Sequence, residues 1–298
     1  MTVQINEQQP KRHLKFCIWD PSNRTHYSGG EMIRTMYNSC SDQDYTISGD
    51  VYAVAYNHFP GTPAPKQVTL DEVDHYVEDT NQPNFKVTPY VPNEDLPSAE
   101  QVFDYIANNY DGLLIGGSDD SADDDSLPYI PLLVKVLRKV IEHDFPTMGY
   151  CIGGQLIARA AHGKKSIHTL EEVTGHHGGE YGFIKYHMTD VARKCPLFEG
   201  VKDGFVSTAL HNDCFLVEEK EWLLTSALCP HAAFQVHEKK IFGFQFHLDF
   251  TKKEGEKFFD LEKMHEKDVK VIMDAEKPDL STSRKIIRNW IRQYVVKE

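Results

Sequence analysis

The residues most able to do chemistry in this chain surround one thiol. In Gly149-Tyr150-Cys151-Ile152-Gly153 a cysteine stands between two glycines, each two positions away. An apolar run, FPTMGYC, leads into it, and the helix-like run GGQLIARAAHG leaves it. This is the spacing of a nucleophile elbow, a tight strand-to-helix turn that small flanking residues allow to close. A helix starting at the sulfur favours the thiolate through its N-terminal partial charge. Its first N–H groups point to where an oxyanion forms on an attacked carbonyl. Taken alone, the same pentapeptide also fits a buried small hydrophobe in a glycine turn.

Three further features favour the chemical reading. The run YDGLLIGG ends in Gly116-Gly117, a pair that permits close backbone approach at a strand end. The run KKIFGFQFH delivers His247 at a second strand end, and Asp249 follows two residues later. Cysteine, histidine and carboxylate at one edge of a sheet form the general-base arrangement that activates a thiol.

The elements that must hold these groups are legible as alternating periods. Strands are expected at LKFCIWD (14–20), DVYAVAYNH (50–58), FKVTPYVP (85–92), YDGLLIGG (110–117) and FPTMGYC (145–151). Helices are expected at 30–40, after a Ser98 cap in SAEQVFDYIANN, over 127–144, and over 153–163 with Gly163 closing it. Shorter strands are expected in GFIKYHMT, EWLLTSALC, AAFQVH and KKIFGFQFH, and RKIIRNWIRQYVV makes a last amphipathic helix. Strand and helix alternating in this way imply an α/β fold with a doubly wound, mostly parallel sheet and helices on both faces. Such sheets bind ligands at the carboxyl ends of their strands. The 298 residues read as one domain over 1–298: a core over about 14–250, a closing helix at 284–295, an insertion at 59–97 and a charged appendage at 251–280.

Composition narrows the partners. A formal net charge of −13 disfavours nucleic acid and anionic membrane. No run of about 18 apolar residues is present to span a bilayer, and no apolar leader is read near Met1. Six cysteines without close regular spacing suggest neither a disulfide framework nor thiolate zinc. The expected compartment is a reducing cytoplasm. His176-His177 with Glu180 and His187 lacks the helical spacing of a metal motif, so no metal and no cofactor are expected.

The combination resembles the class I glutamine amidotransferases. Pro146-x-x-Gly149-x-Cys151-x-Gly153-x-Gln155 is similar to that family's nucleophile motif, and Gly243-x-Gln245-Phe246-His247 to the segment carrying its histidine. Gly116-Gly117 stands where its oxyanion loop does; Glu180-Tyr181-Gly182 and Leu210-His211-Asn212-Asp213 are weaker echoes. The resemblance implies a flavodoxin-like amidotransferase fold and a small glutamyl substrate. Cys151 would attack its γ-carbonyl, with His247 as base and Asp249 as the acid behind it. Gly117 and Ile152 would supply the oxyanion N–H groups, and Gly116, Gln155 and His211 would bind substrate. One departure is His247-Leu248-Asp249, where the family has His-Pro-Glu. Another is the acidic loop Asp119 to Asp125, read as a solvated loop capping the next helix, or as a holder of the substrate's amino group.

Three functions stay open at this level. The chain either hydrolyses glutamine and passes ammonia to a separate synthetase, or acts alone on γ-glutamyl amides and peptides, or is a silent relative that binds without turnover.

Overall fold

The first long apolar run alternates its side chains between two cores, which fixes where the sheet must lie. In β1 (Arg12–Asp20), Leu14, Phe16 and Ile18 enter one buried cluster, while Cys17 and Trp19 enter the other. A period of two with both faces apolar is the signature of a strand covered on both sides. The computed structural model describes residues 12–21, 45–63, 66–67, 90–91, 95–175, 177–248, 271–273 and 280–296. The expected helix at 30–40, most of the insertion at 59–97, most of the appendage at 251–280, and Asp249 lie outside these residues.

Following β1 are β2 (Tyr45–Ala53), β3 (Lys66–Gln67), β4 (Tyr90–Val91), α1 (Ala99–Asn109), β5 (Gly112–Ile115), α2 (Tyr129–Glu142), β6 (Thr147–Tyr150) and α3 (Ile152–His162). Then come β7 (Ile167–Thr169), α4 (Leu170–Thr174), β8 (Glu180–Met188), β9 (Phe205–His211), β10 (Asp213–Phe215), β11 (Trp222–Thr225), β12 (Ala233–Gln235) and β13 (Ile241–Phe244). The last described elements are β14 (Val271–Met273) and α5 (Leu280–Trp290), the latter running into a π-helical turn, Ile291–Val295.

Ten strands make one sheet, ordered β14-β8-β11-β12-β13-β6-β5-β1-β2, with β9 paired to β8. The five strands from β2 to β13 are mutually parallel. Beyond β13 the sheet turns antiparallel through β12, β11, β8 and β9. β1 neighbours both β2 and β5, so the chain changes direction across the sheet there, as in doubly wound folds. The sheet is therefore the doubly wound α/β architecture expected, but mixed, with a longer antiparallel wing than the mostly parallel sheet the sequence suggested.

Helices cover both faces. Val102, Phe103 and Ile106 of α1, Leu133, Val136 and Leu137 of α2, and Leu156 and Ile157 of α3 fill one core; Ile286, Ile287 and Trp290 of α5 fill the other. α1 begins as expected: Ser98 accepts from the Gln101 N–H, and the Gln101 side chain accepts from the Ser98 N–H, a capping box. Gly163 ends α3 with φ 86°, its N–H donating to Arg159 O.

Two expectations shift. The second strand is Tyr45–Ala53 rather than 50–58, because Val54–Tyr56 wind into a 3-10 turn closed by Asn57 in the left-handed region. The acidic loop does not cap α2, whose N-cap is Pro128 with no side-chain hydrogen bond. Its acids point elsewhere, as the site shows.

Candidate functional site

Three neighbouring parallel strands, β5, β6 and β13, end at one edge, and the glycine pair, Cys151 and His247 follow their carboxyl ends. Cys151 is the N-cap of α3 with φ 52° and ψ −119°, a conformation that a side-chain-bearing residue adopts only under constraint. The constraint is visible in its hydrogen bonds. The Cys151 N–H donates to Phe244 O at 2.8 Å, locking the turn to β13, while Cys151 O accepts from Gln155 N–H and starts the helix. The flanking glycines are required by contact. A Cβ on Gly149 would stand 2.5 Å from Gly153 O, and one on Gly153 would stand 2.5 Å from Ile115 O.

The thiol lies almost buried, and its Sγ faces Leu210 O at 3.6 Å. A Cβ built on Gly117 would meet His247 Cε1 at 2.8 Å, His247 Nε2 at 3.4 Å and Cys151 Cβ at 3.5 Å. Gly117, Cys151 and His247 therefore converge on one point. His247 is buried at 6% exposure, its N–H donating to Thr208 O at 2.8 Å and its carbonyl accepting from Ser207 Oγ at 2.9 Å. These bonds hold it against β9 rather than leaving it on a free loop end. Leu248, in place of the family's proline, is fully buried. Asp249 is outside the described residues.

The other anticipated residues divide. The Gly116 N–H donates to Trp19 O at 2.9 Å and so belongs to the sheet edge, whereas Gly117 lies one residue beyond. Ile152 is the first residue of α3, where a helix leaves its N–H without an internal acceptor. Gln155, on the first turn, is buried with Nε2 donating to Asp213 O at 3.2 Å and to Gln245 Oε1 at 3.4 Å. The His211 ring is buried next to Leu210, whose carbonyl faces the thiol, with Nε2 3.1 Å from Glu180 Oε2 and Nδ1 3.0 Å from Asp213 O.

Sequence reading missed the role of two residues. Arg159, in the otherwise apolar run LIARAA, reaches back from α3 to the acidic loop. Its Nη1 donates to Ala122 O at 2.6 Å and its Nη2 pairs with Asp125, which Lys164 also approaches at 3.2 Å. These cations hold the Asp125 carboxyl below its ordinary range. Within the same loop Asp120 accepts from the Tyr129 hydroxyl, and Ser121 Oγ donates to Asp213 Oδ2 at 2.9 Å. A lone arginine on a buried helix face is the signal that could have pointed to such an anchor. The second residue is Ser226, whose Oγ donates to Glu180 and accepts from Cys229 N–H at 2.8 Å. Among the described residues no group of three or more His, Cys, Asp or Glu side chains could hold a metal ion. No helix among them is long and apolar enough to cross a membrane.

Comparison with known proteins bears on this arrangement. The family model "Glutamine amidotransferase class-I" matches residues 73–264. A protein of Methanothermobacter thermautotrophicus, named as one subunit of a glutamine-hydrolyzing GMP synthase, is 28% identical over 173 residues, 57% of this chain and 82% of that one. The glutamine-hydrolyzing GMP synthase of Caldicellulosiruptor saccharolyticus is 32% identical over 144 residues, 48% of this chain but only 25% of that much longer protein. Among solved structures, a glutamine amidotransferase from Thermotoga maritima superposes with a TM-score of 0.61 at 12% identity, covering 96% of this chain and all of that one. A glutamine amidotransferase from Methylobacillus flagellatus gives 0.57 at 16% identity over 95% of this chain.

Proposed function

Because the chain belongs to the class-I glutamine amidotransferase family, we propose that it hydrolyses the side-chain amide of glutamine through a γ-glutamyl thioester on Cys151. The observation that carries this reading is the convergence of Gly117, Cys151 and His247 at one point of the sheet edge. In the reaction, His247 takes the thiol proton and the Cys151 sulfur bonds to the γ-carbon. The N–H groups of Gly117 and Ile152 receive the developing oxyanion, a contribution of about 3–4 kcal/mol per donor where such donors have been removed. The imidazolium of His247 gives its proton to the departing ammonia as the C–N bond breaks. Water, deprotonated by His247, then cleaves the thioester to glutamate and returns the thiol. Asp249 is the acid that orients the imidazole, one methylene shorter than the family's glutamate. Gln155 lines the glutamyl side of the cleft.

The ammonia goes to a separate synthetase. The support is the Methanothermobacter relative, which is named as one part of a larger synthase and which this chain matches over 82% of its length. The chain is tested alone, with glutamine and a series of γ-glutamyl amides and peptides, reading released ammonia or amine beside Cys151→Ala. Ammonia from glutamine that vanishes in the variant is the expected result. Turnover restricted to γ-glutamyl peptides would replace glutaminase by peptidase. Equal, slow alkylation of Cys151 and the other thiols, with no turnover even in cell extract, would leave a silent relative.

A further inference from the structure

Beside the segment whose Leu210 carbonyl faces the thiol, two sequence pieces that lie some thirty positions apart meet as halves of one clamp. Glu180 and His211 are directly opposed across the antiparallel β8–β9 pair, so both side chains leave the same face. Both are buried, with side-chain exposures of 0% and 1%. Gly179 packs so closely on the next segment that a Cβ there would collide with His211 O and come within 2.6 Å of Asn212 Oδ1. The Tyr181 hydroxyl donates to Asn212 Oδ1 at 2.7 Å. Three consecutive residues, 179–181, thus grip 211 and 212.

What they grip is the segment that faces the nucleophile. Leu210 O is the acceptor 3.6 Å from Cys151 Sγ, and Asp213 O accepts from Gln155 Nε2 and from the His211 ring. The Asp213 carboxylate accepts from Ser121, four residues beyond Gly117. The segment 210–213 therefore touches the thiol, the first turn of its helix and the loop after the glycine pair.

The proton placement follows from the partners. A carbonyl only accepts, so Nδ1 of His211 carries a hydrogen toward Asp213 O. One further proton lies between Nε2 and the Glu180 carboxyl, whose other oxygen accepts from Ser226. Ser226 is itself oriented by Cys229 N–H and Leu228 N–H. With every polar atom of the pair engaged, the ring has one orientation. Truncating either partner leaves the other buried without its match.

We infer that Glu180, acting through His211 and with Tyr181 at the rim, is a positioning residue that sets segment 210–213 against Cys151 and Gln155. The inference rests on the proposed thiol chemistry for its kinetic consequence, although the clamp itself can be read without it. Hydrogen bonding does the positioning, so glutamine should substitute for Glu180. Its amide N–H donates to Nε2 of a singly protonated ring, and its carbonyl accepts from Ser226.

The test compares Glu180→Gln, Glu180→Ala and Tyr181→Phe in the full chain, by amide hydrogen exchange over 209–215 and by kcat and KM for glutamine. In Glu180→Ala, exchange over 209–215 should rise about 10-fold while β1 and β5 stay protected, and kcat should fall at least about 10-fold. Glu180→Gln should restore both to within about 3-fold. Tyr181→Phe, at the exposed edge, should speed exchange at Asn212 about 3-fold and carries the test if the alanine variant does not fold. Unchanged exchange over 209–215, unchanged kcat in a folded alanine variant, or a glutamine variant no better than alanine would each overturn the inference. Exchange rising equally in β1 and β5 would make the pair a general brace and overturn it too. A wild-type chain that releases no ammonia from glutamine sinks the proposed function instead, and the exchange comparison then decides the clamp by itself.

Discussion

The backbone of Gly117 faces the ring of His247 with no room between them for a methyl group. A Cβ on Gly117 would sit 2.8 Å from Cε1 of the imidazole and 3.5 Å from Cys151 Cβ. Gly117, just past the end of β5, is thus sized by the histidine that follows β13, not by its own turn. Both belong to the same small volume as the thiol, and a change at one must be felt by the reaction carried out at the other.

Gly117→Ala is therefore expected to displace the His247 ring and lower kcat for glutamine at least about 10-fold, since a misplacement of about 1 Å can cost about 100-fold in rate. Stability should change by less than about 1 kcal/mol, because the site lies at the sheet edge rather than in the packed layers. Steady-state kinetics beside urea unfolding separates the two effects. Full activity in the alanine variant would mean that His247 does not act from where it stands.

The elbow glycines should behave in the opposite way. Gly153→Ala drives a methyl group to 2.5 Å from Ile115 O and 2.9 Å from Ile115 Cβ, against the backbone and side chain of a central strand that cannot give. Overpacking of this kind costs about 1–3 kcal/mol. Urea midpoints should fall accordingly, whereas filling the space at Gly175, where nothing lies within 4 Å, should be limited to the strain of φ 71°. A Gly153 variant as stable as the parent would show that α3 can slide on β5.

Much of this site was legible because its parts are local. Strands β5, β6 and β13 are short apolar runs followed within three residues by a glycine pair, a cysteine or a histidine, and each reads from its own few residues. The same holds for the Ser98 cap and for Gly163. What stayed hidden depends on pairing at a distance. Phe205–His211 was not read as a strand, because Ser207 and Thr208 interrupt its apolar pattern and only the seven-residue register with β8 makes it one. The short β7–β10 pair was missed for the same reason. The first half of β2 was obscured by Ser48, Gly49 and Asp50, poor strand formers that are tolerated there beside β1. Glu180 and His211 were each visible as an echo of the family. Their opposition across two strands was not, since antiparallel register is a property of the fold and not of either segment.

Arg159 tests whether the acidic loop matters to catalysis. Arg159→Met keeps the apolar stem but removes the guanidinium that holds Ala122 O and Asp125. The loop between Ser118 and Ser126 then loses its tie to the nucleophile helix. The expected outcome is a rise of about 5- to 10-fold in KM for glutamine with a smaller change in kcat, because the loop follows Gly117 rather than containing a reacting group. Unchanged KM would confine the Arg159–Asp125 pair to structure.

At the far end of α3 a buried acid sets a pH dependence that has nothing to do with the thiol. Glu221 is almost fully buried; its Oε2 lies 2.8 Å from His162 Nε2, and its Oε1 accepts from the His237 N–H at 2.8 Å. Burial alone would push its carboxyl up. The His162 ring beside Oε2 and the His237 N–H on Oε1 outweigh burial and hold it below its ordinary value of 4.5. Glu218, Lys220 and Glu238 are further charges at this corner. A carboxyl depressed by folding binds more protons in the unfolded chain, so its contribution is complete above about pH 4.5 and is lost as pH falls through the folded value. Glu221→Gln is thus expected to unfold about 1.5–3 kcal/mol more easily at about pH 7, the range for hydrogen bonds to charged groups. The gap should close as both proteins are titrated below about pH 4.5. Urea unfolding across that interval checks the sign. A gap that stays constant with pH would show that Glu221 is held by packing, with its charge playing no part in the stability of the helix that carries Cys151.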